Sequence, residues 1–157
     1  MPTLKELLRG DLIIADIQAV DKVGVIREFA AHLSAAGKVR DPDELMRVLL
    51  EREAMGSTGI GDGVAIPHGK LHGRGEVIVA FGRSHRGVDY QSLDDKPAYL
   101  FFLLVTPQES PGEHLKMLAR ISRILKNPAL RERLRTVPDG GELHRLILEE
   151  DSKYPQK

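Results

Sequence analysis

His68 stands in the run Gly63-Val64-Ala65-Ile66-Pro67-His68-Gly69, directly after a short apolar stretch. Pro67 fixes its own φ, so the imidazole is held at a strand end, where function in α/β sheets collects. Neutral imidazole is a nucleophile near pH 7, because its unperturbed pKa is about 6.5. Just upstream, Met55 to Gly63 holds four glycines, Gly56, Gly59, Gly61 and Gly63, together with Ser57 and Thr58. A loop of this kind turns tightly, and its N–H groups can form an anion-binding concavity. The pattern predicts an anion-receptive loop beside a nucleophile. Phosphoryl transfer is one chemistry that needs little more than this: a fixed tautomer and donors for the phosphoryl oxygens. Ser57, Thr58 and the loop amides are candidate donors. His114, in the first turn of an expected helix where the dipole favours an anion, is a candidate second imidazole. Arg52 is a candidate cation, although an arginine at a helix end is ordinarily a solvated one.

Other chemistries fit the same residues less well. Gly63 to Lys70 approaches a P-loop, but Gly63 and Gly69 are one residue too far apart and Leu71 replaces the Ser/Thr. Gly59 to Val64 lacks the last glycine of a dinucleotide fingerprint and follows an expected helix rather than a strand. His68 and His72 have the i, i+4 spacing of a zinc-binding helix, yet Gly69 and Gly73 argue against a helix there. On these residues alone, a metal site or a module that holds an anion without covalent transfer stays open. His32, His85 and His144 are read as structural or neutral, with His85 placed in a polar turn, Arg83 to Arg86.

The chain has 157 residues, 23 Lys+Arg and 23 Asp+Glu, so its formal charge is zero. A nucleic-acid binder ordinarily carries a basic excess, which argues against nucleic acid as a partner. The absence of cysteine removes thiol nucleophiles, disulfides and Cys-based zinc sites. The longest apolar run, Ala98 to Val105, is far short of the roughly 20 residues of a spanning helix. The N-terminus lacks the apolar core of a signal peptide. The expectation is a soluble, cytoplasmic protein with no membrane insertion and no cofactor.

The elements that must position His68 follow from periodicity and punctuation. Helices are expected over Leu4–Leu8, over Asp21–Ala36 with Val25, Phe29 and Leu33 on one face, and from Pro42 to about Ala54. Asp41 as N-cap, Pro42 at the first helical position and Glu44 three residues after the cap mark that third start. Met55 to Gly63 is expected as loop. Strands are expected at Leu12–Ile14, at Val64–Ile66 with Pro67 as its stop, at Val77–Gly82 and at Tyr99–Val105, the last apolar throughout and therefore central. A helix from Pro111 should carry Leu115, Leu118, Ile121, Ser122 and Leu125 on its apolar side. Helices at Pro128–Arg135 and Gly141–Glu149 follow, with Ser152–Lys157 as a frayed tail. Alternating strands and helices around one fully apolar strand imply an α/β domain with the sheet between helix layers.

The stretch from Arg52-Glu53-Ala54-Met55-Gly56-Ser57-Thr58 through Pro67-His68-Gly69-Lys70 resembles the signature of enzyme IIA of the bacterial phosphoenolpyruvate-dependent phosphotransferase system, in its fructose/mannitol/nitrogen-regulatory branch. The likeness extends to Gly87-Val88-Asp89-Tyr90, Val105-Thr106-Pro107 and His114-Leu115-Lys116-Met117-Leu118-Ala119. It implies one type-2 IIA domain over residues 1–157, a three-layer α/β/α fold with a small mixed sheet covered by helices on both faces. It implies that the histidine-containing phosphocarrier protein phosphorylates His68 at Nε2. It also implies that His114 stabilises the phosphoryl group, with Thr58 and Arg52 as supporting polar residues, and no metal or cofactor. The group would then pass to a IIB domain that feeds sugar uptake, or its presence would regulate a target protein. A free-standing IIA without IIB or IIC is the expectation, and Met55 to Gly61 is most similar to nitrogen-type members. Regulation is therefore the expected role and sugar uptake the alternative.

Overall fold

Side-chain caps set where the helices begin. In the computed structural model, which describes residues 2–72 and 75–155, Thr3 and Glu6 close a capping box on α1 (Leu4–Leu7). Asp21 accepts from the Gly24 amide at 2.9 Å and starts α2 (Lys22–Ala35). Asp41 accepts from the Glu44 amide at 3.1 Å and starts α3 (Pro42–Ala54), with Pro42 at its first position. Asn127 and Asp139 play the same part for α5 (Pro128–Thr136) and α6 (Gly140–Asp151). The exception is α4 (Pro111–Ile124), whose N-cap Ser110 makes no side-chain cap bond.

Among the described residues, the strands form one mixed sheet in the order β1-β5-β6-β3-β2, with β4 also paired to β6. These are β1 (Ile13–Ile14), β2 (Gly59–Gly61), β3 (Val64–Ala65), β4 (His68–Leu71), β5 (Ile78–Val88) and β6 (Ala98–Pro107). The long strands β5 and β6 run antiparallel at the centre, and β6 is buried over nearly its whole length. β3 and β4 both pair parallel with β6, one after the other, at Val64↔Leu100 and His68↔Leu104. They are two halves of one strand, interrupted at Ile66-Pro67 because proline supplies no N–H to the ladder.

Two adjacent residues of β5 show which helices cover which face. A Cβ on Gly82 would lie 2.5 Å from Ile17 and 3.0 Å from Phe29 of α2, so that helix side packs directly on the strand. Arg83 points the other way, and its buried guanidinium donates to the carbonyls of Leu134 and Val137 at the end of α5. α2 and α3 thus cover one face, and α4 and α5 the other. Between the layers Phe81 and Phe102 meet edge-on with centroids 5.3 Å apart. Each such fully buried side chain contributes roughly 1.5–3 kcal/mol of transfer free energy.

The expected elements are present, with instructive differences. β5 continues past Gly82 to Val88, so His85 lies on a strand and not in a turn; Arg83 still pairs with Leu100, and after a register shift Val88 pairs with Ala98. The glycine loop contains β2, whose backbone bonds tolerate glycine because it pairs only at the sheet edge. β4 falls on residues too polar to show a strand pattern. The buried face of α4 is His114, Met117, Ile121 and Ile124, while Leu115 is 67% exposed. Finally, the tail is held as far as Tyr154, whose hydroxyl donates to Glu150 at 3.1 Å and whose ring lies under Arg123. Gln156 and Lys157 lie outside the described residues.

Candidate active site

The broken strand explains how His68 is held. Beside the break, Ile66 N–H donates to Thr58 O and Leu104 N–H to Pro67 O, each at 3.0 Å. The Ile66 carbonyl accepts instead from the His68 ring, with Nδ1 at 2.7 Å. A carbonyl only accepts, so Nδ1 carries the proton and the lone pair is on Nε2. Arg52, in the last turn of α3, donates from Nε to that Nε2 at 3.3 Å and from Nη1 to Gly56 O at 2.9 Å. The pKa of His68 is lowered, first by burial and then, against the pull of the Ile66 bond, by the Arg52 charge. A ring with a fixed tautomer, an aimed lone pair and no charge at neutral pH is a prepared nucleophile.

His114 reaches the same spot from α4. His68 and Leu104 are register partners, as are Lys70 and Thr106, so His68 and Thr106 share the α4 face of the sheet. The two imidazole centroids are 5.5 Å apart. His114 is buried, and its Nδ1 lies 2.7 Å from the Thr106 hydroxyl. Burial, then the neighbouring His68 and Lys70, push its pKa down to about 4. Ser110 makes no side-chain cap bond, which leaves the Gly112 and Glu113 amides of the α4 first turn without a partner among the described residues.

Of the four residues singled out in the sequence, the structure brings His68, His114 and Arg52 together. Thr58 is nearby but turned away. It is buried, and both its amide and its hydroxyl donate to the Glu53 carboxylate. Glu53 also accepts from Tyr90 OH at 2.9 Å and pairs with Lys22 Nζ at 3.1 Å. The burial and the Glu53 charge raise the Tyr90 pKa, keeping that phenol a donor. This buried cluster fastens the glycine loop behind Arg52. Sequence reasoning passed over it, although one signal was present. Leu45, Leu49 and Glu53 recur every four residues on the buried side of α3, so a carboxylate occupies a core position and must be partnered.

The remaining candidates lie elsewhere. Ser57 is engaged by Lys22 and donates to Tyr90 O at 3.4 Å. His72 follows the end of a strand, where four residues span about 13 Å, so it cannot share a metal ion with His68. Among the described residues no group of His, Asp and Glu is arranged to hold a metal, and no helix is long and apolar enough to cross a membrane. His32 and His144 each bond a backbone carbonyl, of Asp11 at 2.7 Å and Leu8 at 2.6 Å, which is structural work.

The model of the family described as "Phosphoenolpyruvate-dependent sugar phosphotransferase system, EIIA 2" matches residues 6–150. The chain belongs to this family. As a member of it, the protein is a phosphotransferase-system component of the phosphoryl-carrier type. It is 34% identical to a nitrogen regulatory protein of Bradyrhizobium diazoefficiens, over 92% of this chain and 94% of that one. It is 40% identical to the fructose-specific EIIABC component of Bacillus subtilis, over 83% of this chain but only 21% of that larger protein. The EIIA fold is equally plain against the crystal structure of the nitrogen regulatory protein IIA-Ntr from Neisseria meningitidis. That match has a TM-score of 0.85 at 31% identity and covers 92% of this chain and 98% of the other.

Proposed function

We propose that this EIIA chain accepts a phosphoryl group on His68 Nε2 from the histidine-containing phosphocarrier protein. The observation that carries the reading is the Ile66 carbonyl bound to His68 Nδ1, which leaves Nε2 as the only nucleophilic atom of the ring. As Nε2 attacks, its lone pair forms the new N–P bond while the N–P bond on the donor breaks. No proton need leave His68, because Nδ1 keeps its hydrogen and its bond to Ile66. The charge that arrives is met by Arg52, which already stands 3.3 Å from Nε2, and by His114, whose ring centroid is 5.5 Å from that of His68. Thr58 acts at one remove, holding the loop through Glu53. Incubation with phosphoenolpyruvate, enzyme I and the phosphocarrier should add one acid-labile phosphoryl group, visible by mass spectrometry. Equal labelling of His68→Ala would overturn the assignment, and an anion-binding module would give no covalent adduct at all.

Downstream, the reading is regulation: the phosphorylated and free forms are distinguished by a target protein. Near end-to-end correspondence with nitrogen regulatory proteins supports it. The 40% identity to a fructose-specific component supports the second reading, transfer to a fructose- or mannitol-type IIB domain. A transfer assay with purified IIB domains, beside a pull-down that compares wild type with His68→Ala, separates the two. Rapid loss of label to a IIB domain decides for uptake; a partner held by one phosphorylation state only decides for regulation.

A further inference from the structure

The two imidazoles of the site are held by different partners, and the partners dictate different tautomers. His68 faces a carbonyl, which only accepts, so its proton is on Nδ1. His114 faces a hydroxyl, which both donates and accepts, at 2.7 Å from Nδ1. The hydroxyl resolves the ambiguity through its own needs. Thr106 is 1% exposed, and His114 Nδ1 is its sole hydrogen-bond partner among the described residues. If His114 donated, the Thr106 O–H would be buried with nothing to accept it, and an unmet buried donor is strongly disfavoured. If Thr106 donates, that hydrogen is satisfied and the ring proton moves to Nε2. The Nε2 atom has no partner among the described residues, so either tautomer leaves it equally placed and the buried O–H decides.

We propose that Thr106 is a positioning residue of the EIIA site: by donating to His114 Nδ1 it makes His114 Nε2–H a neutral donor for the phosphoryl group on His68. This rests on the reading of His68 as the acceptor. The opposed tautomers then have a purpose, since one ring offers a lone pair to phosphorus and the other a hydrogen to phosphoryl oxygen. With the tautomer reversed, His114 would present a lone pair to an incoming anion and repel it. The lowered pKa of His114 keeps the ring neutral at pH 7 before phosphorylation, so the tautomer and not a charge sets its role. Position favours this pairing as well, because Thr106 and His68 occupy one face of the sheet, two register steps apart along β6.

Nitrogen NMR of the imidazole rings in the unphosphorylated full chain at neutral pH reads the tautomer directly. We expect His114 in wild type and in Thr106→Ser to carry its proton on Nε2, and Thr106→Val, nearly isosteric, to lose that preference. Phosphoryl acceptance at His68 should slow about 10-fold or more in Thr106→Val and recover in Thr106→Ser, the range usual for lost support behind a functional imidazole. A wild-type His114 protonated on Nδ1 overturns the proposal, as does a Thr106→Val chain that transfers at the wild-type rate. The tautomer measurement needs no phosphoryl group. Failure of His68 to be labelled in wild type would therefore be a failure of the proposed function, recognisable apart from a failure of Thr106.

Discussion

Arg52 Nε lies 3.3 Å from His68 Nε2, so a permanent positive charge occupies the ground that a phosphoryl group on His68 would take. The guanidinium is tethered from its other side by Nη1 to Gly56 O at 2.9 Å. Removing one preorganised donor from a developing anion costs on the order of 100- to 1000-fold in rate. Arg52→Ala should slow phosphoryl acceptance by about that range with the fold intact by circular dichroism. Arg52→Lys should recover only part of it, since a lysine cannot hold Gly56 O and an anion with one planar fork. Full activity in Arg52→Lys would mean that charge alone matters.

Glu53 makes the opposite kind of contribution, in stability. Its carboxylate is buried and receives Thr58 N–H at 3.0 Å, Tyr90 OH at 2.9 Å, Lys22 at 3.1 Å and the Thr58 hydroxyl. Glu53→Ala strands Lys22 and several donors away from water, and breaking such a buried pair costs about 3–5 kcal/mol. Urea denaturation should report a loss of that size. Lys22→Met together with Glu53→Ala should destabilise by less than the two single changes summed, because the pair is lost once. Additive effects would show that the pair has no energetic coupling.

Much of this was legible in the sequence, and the gaps have physical causes. Asp41-Pro42-Asp43-Glu44 named the start of α3 because capping chemistry is local, and Tyr99 to Val105 named the central strand because both its faces are buried. β4 was not legible: His68-Gly69-Lys70-Leu71 has no apolar alternation, and only pairing with β6 makes it a strand. Leu115 misled because a leucine at helical spacing reads as core, whereas α4 turns His114 inward instead. His68 itself stood out through Pro67 and Gly69, and His114 and Arg52 through charge and helix position. Thr58 reads from the sequence as a donor to the anion, since nothing local reveals that a residue five positions earlier takes its hydroxyl. Thr106 falls within the family likeness, but its bond to His114 is visible only through the contact between β6 and α4.

Gly69 gives a test of how tightly α3 seats the site. A Cβ there would lie 2.7 Å from Val48 Cγ1, closer than side chains approach. Gly69→Ala should destabilise by about 1–3 kcal/mol through overpacking. Because the clash falls between β4 and α3, it should also slow phosphoryl acceptance by shifting His68 against Arg52. Val48→Ala removes the clashing methyl, so the double variant should recover part of the stability lost in Gly69→Ala. A double variant less stable than either single one would place the strain elsewhere.

The buried imidazoles predict a pH dependence whose sign is fixed. Both His68 and His114 have lowered pKa values in the fold, His114 at about 4, because burial penalises the charged ring. The unfolded chain takes up these protons near pH 6.5, its ordinary value. Between about 6.5 and about 4 it therefore binds more protons than the folded chain, and stability falls as pH is lowered through that window. Above about 6.5 both states are neutral and these groups contribute nothing; below about 4 both carry the His114 proton and its penalty no longer grows. Urea midpoints measured across this range should decline more steeply in wild type than in His114→Gln. Phosphorylation of His68 reverses the electrostatics, because a negative group facing His114 favours its protonation. The His114 titration midpoint, followed by NMR, should move upward in the phosphorylated protein, and an unchanged midpoint would show that His114 does not face the phosphoryl group.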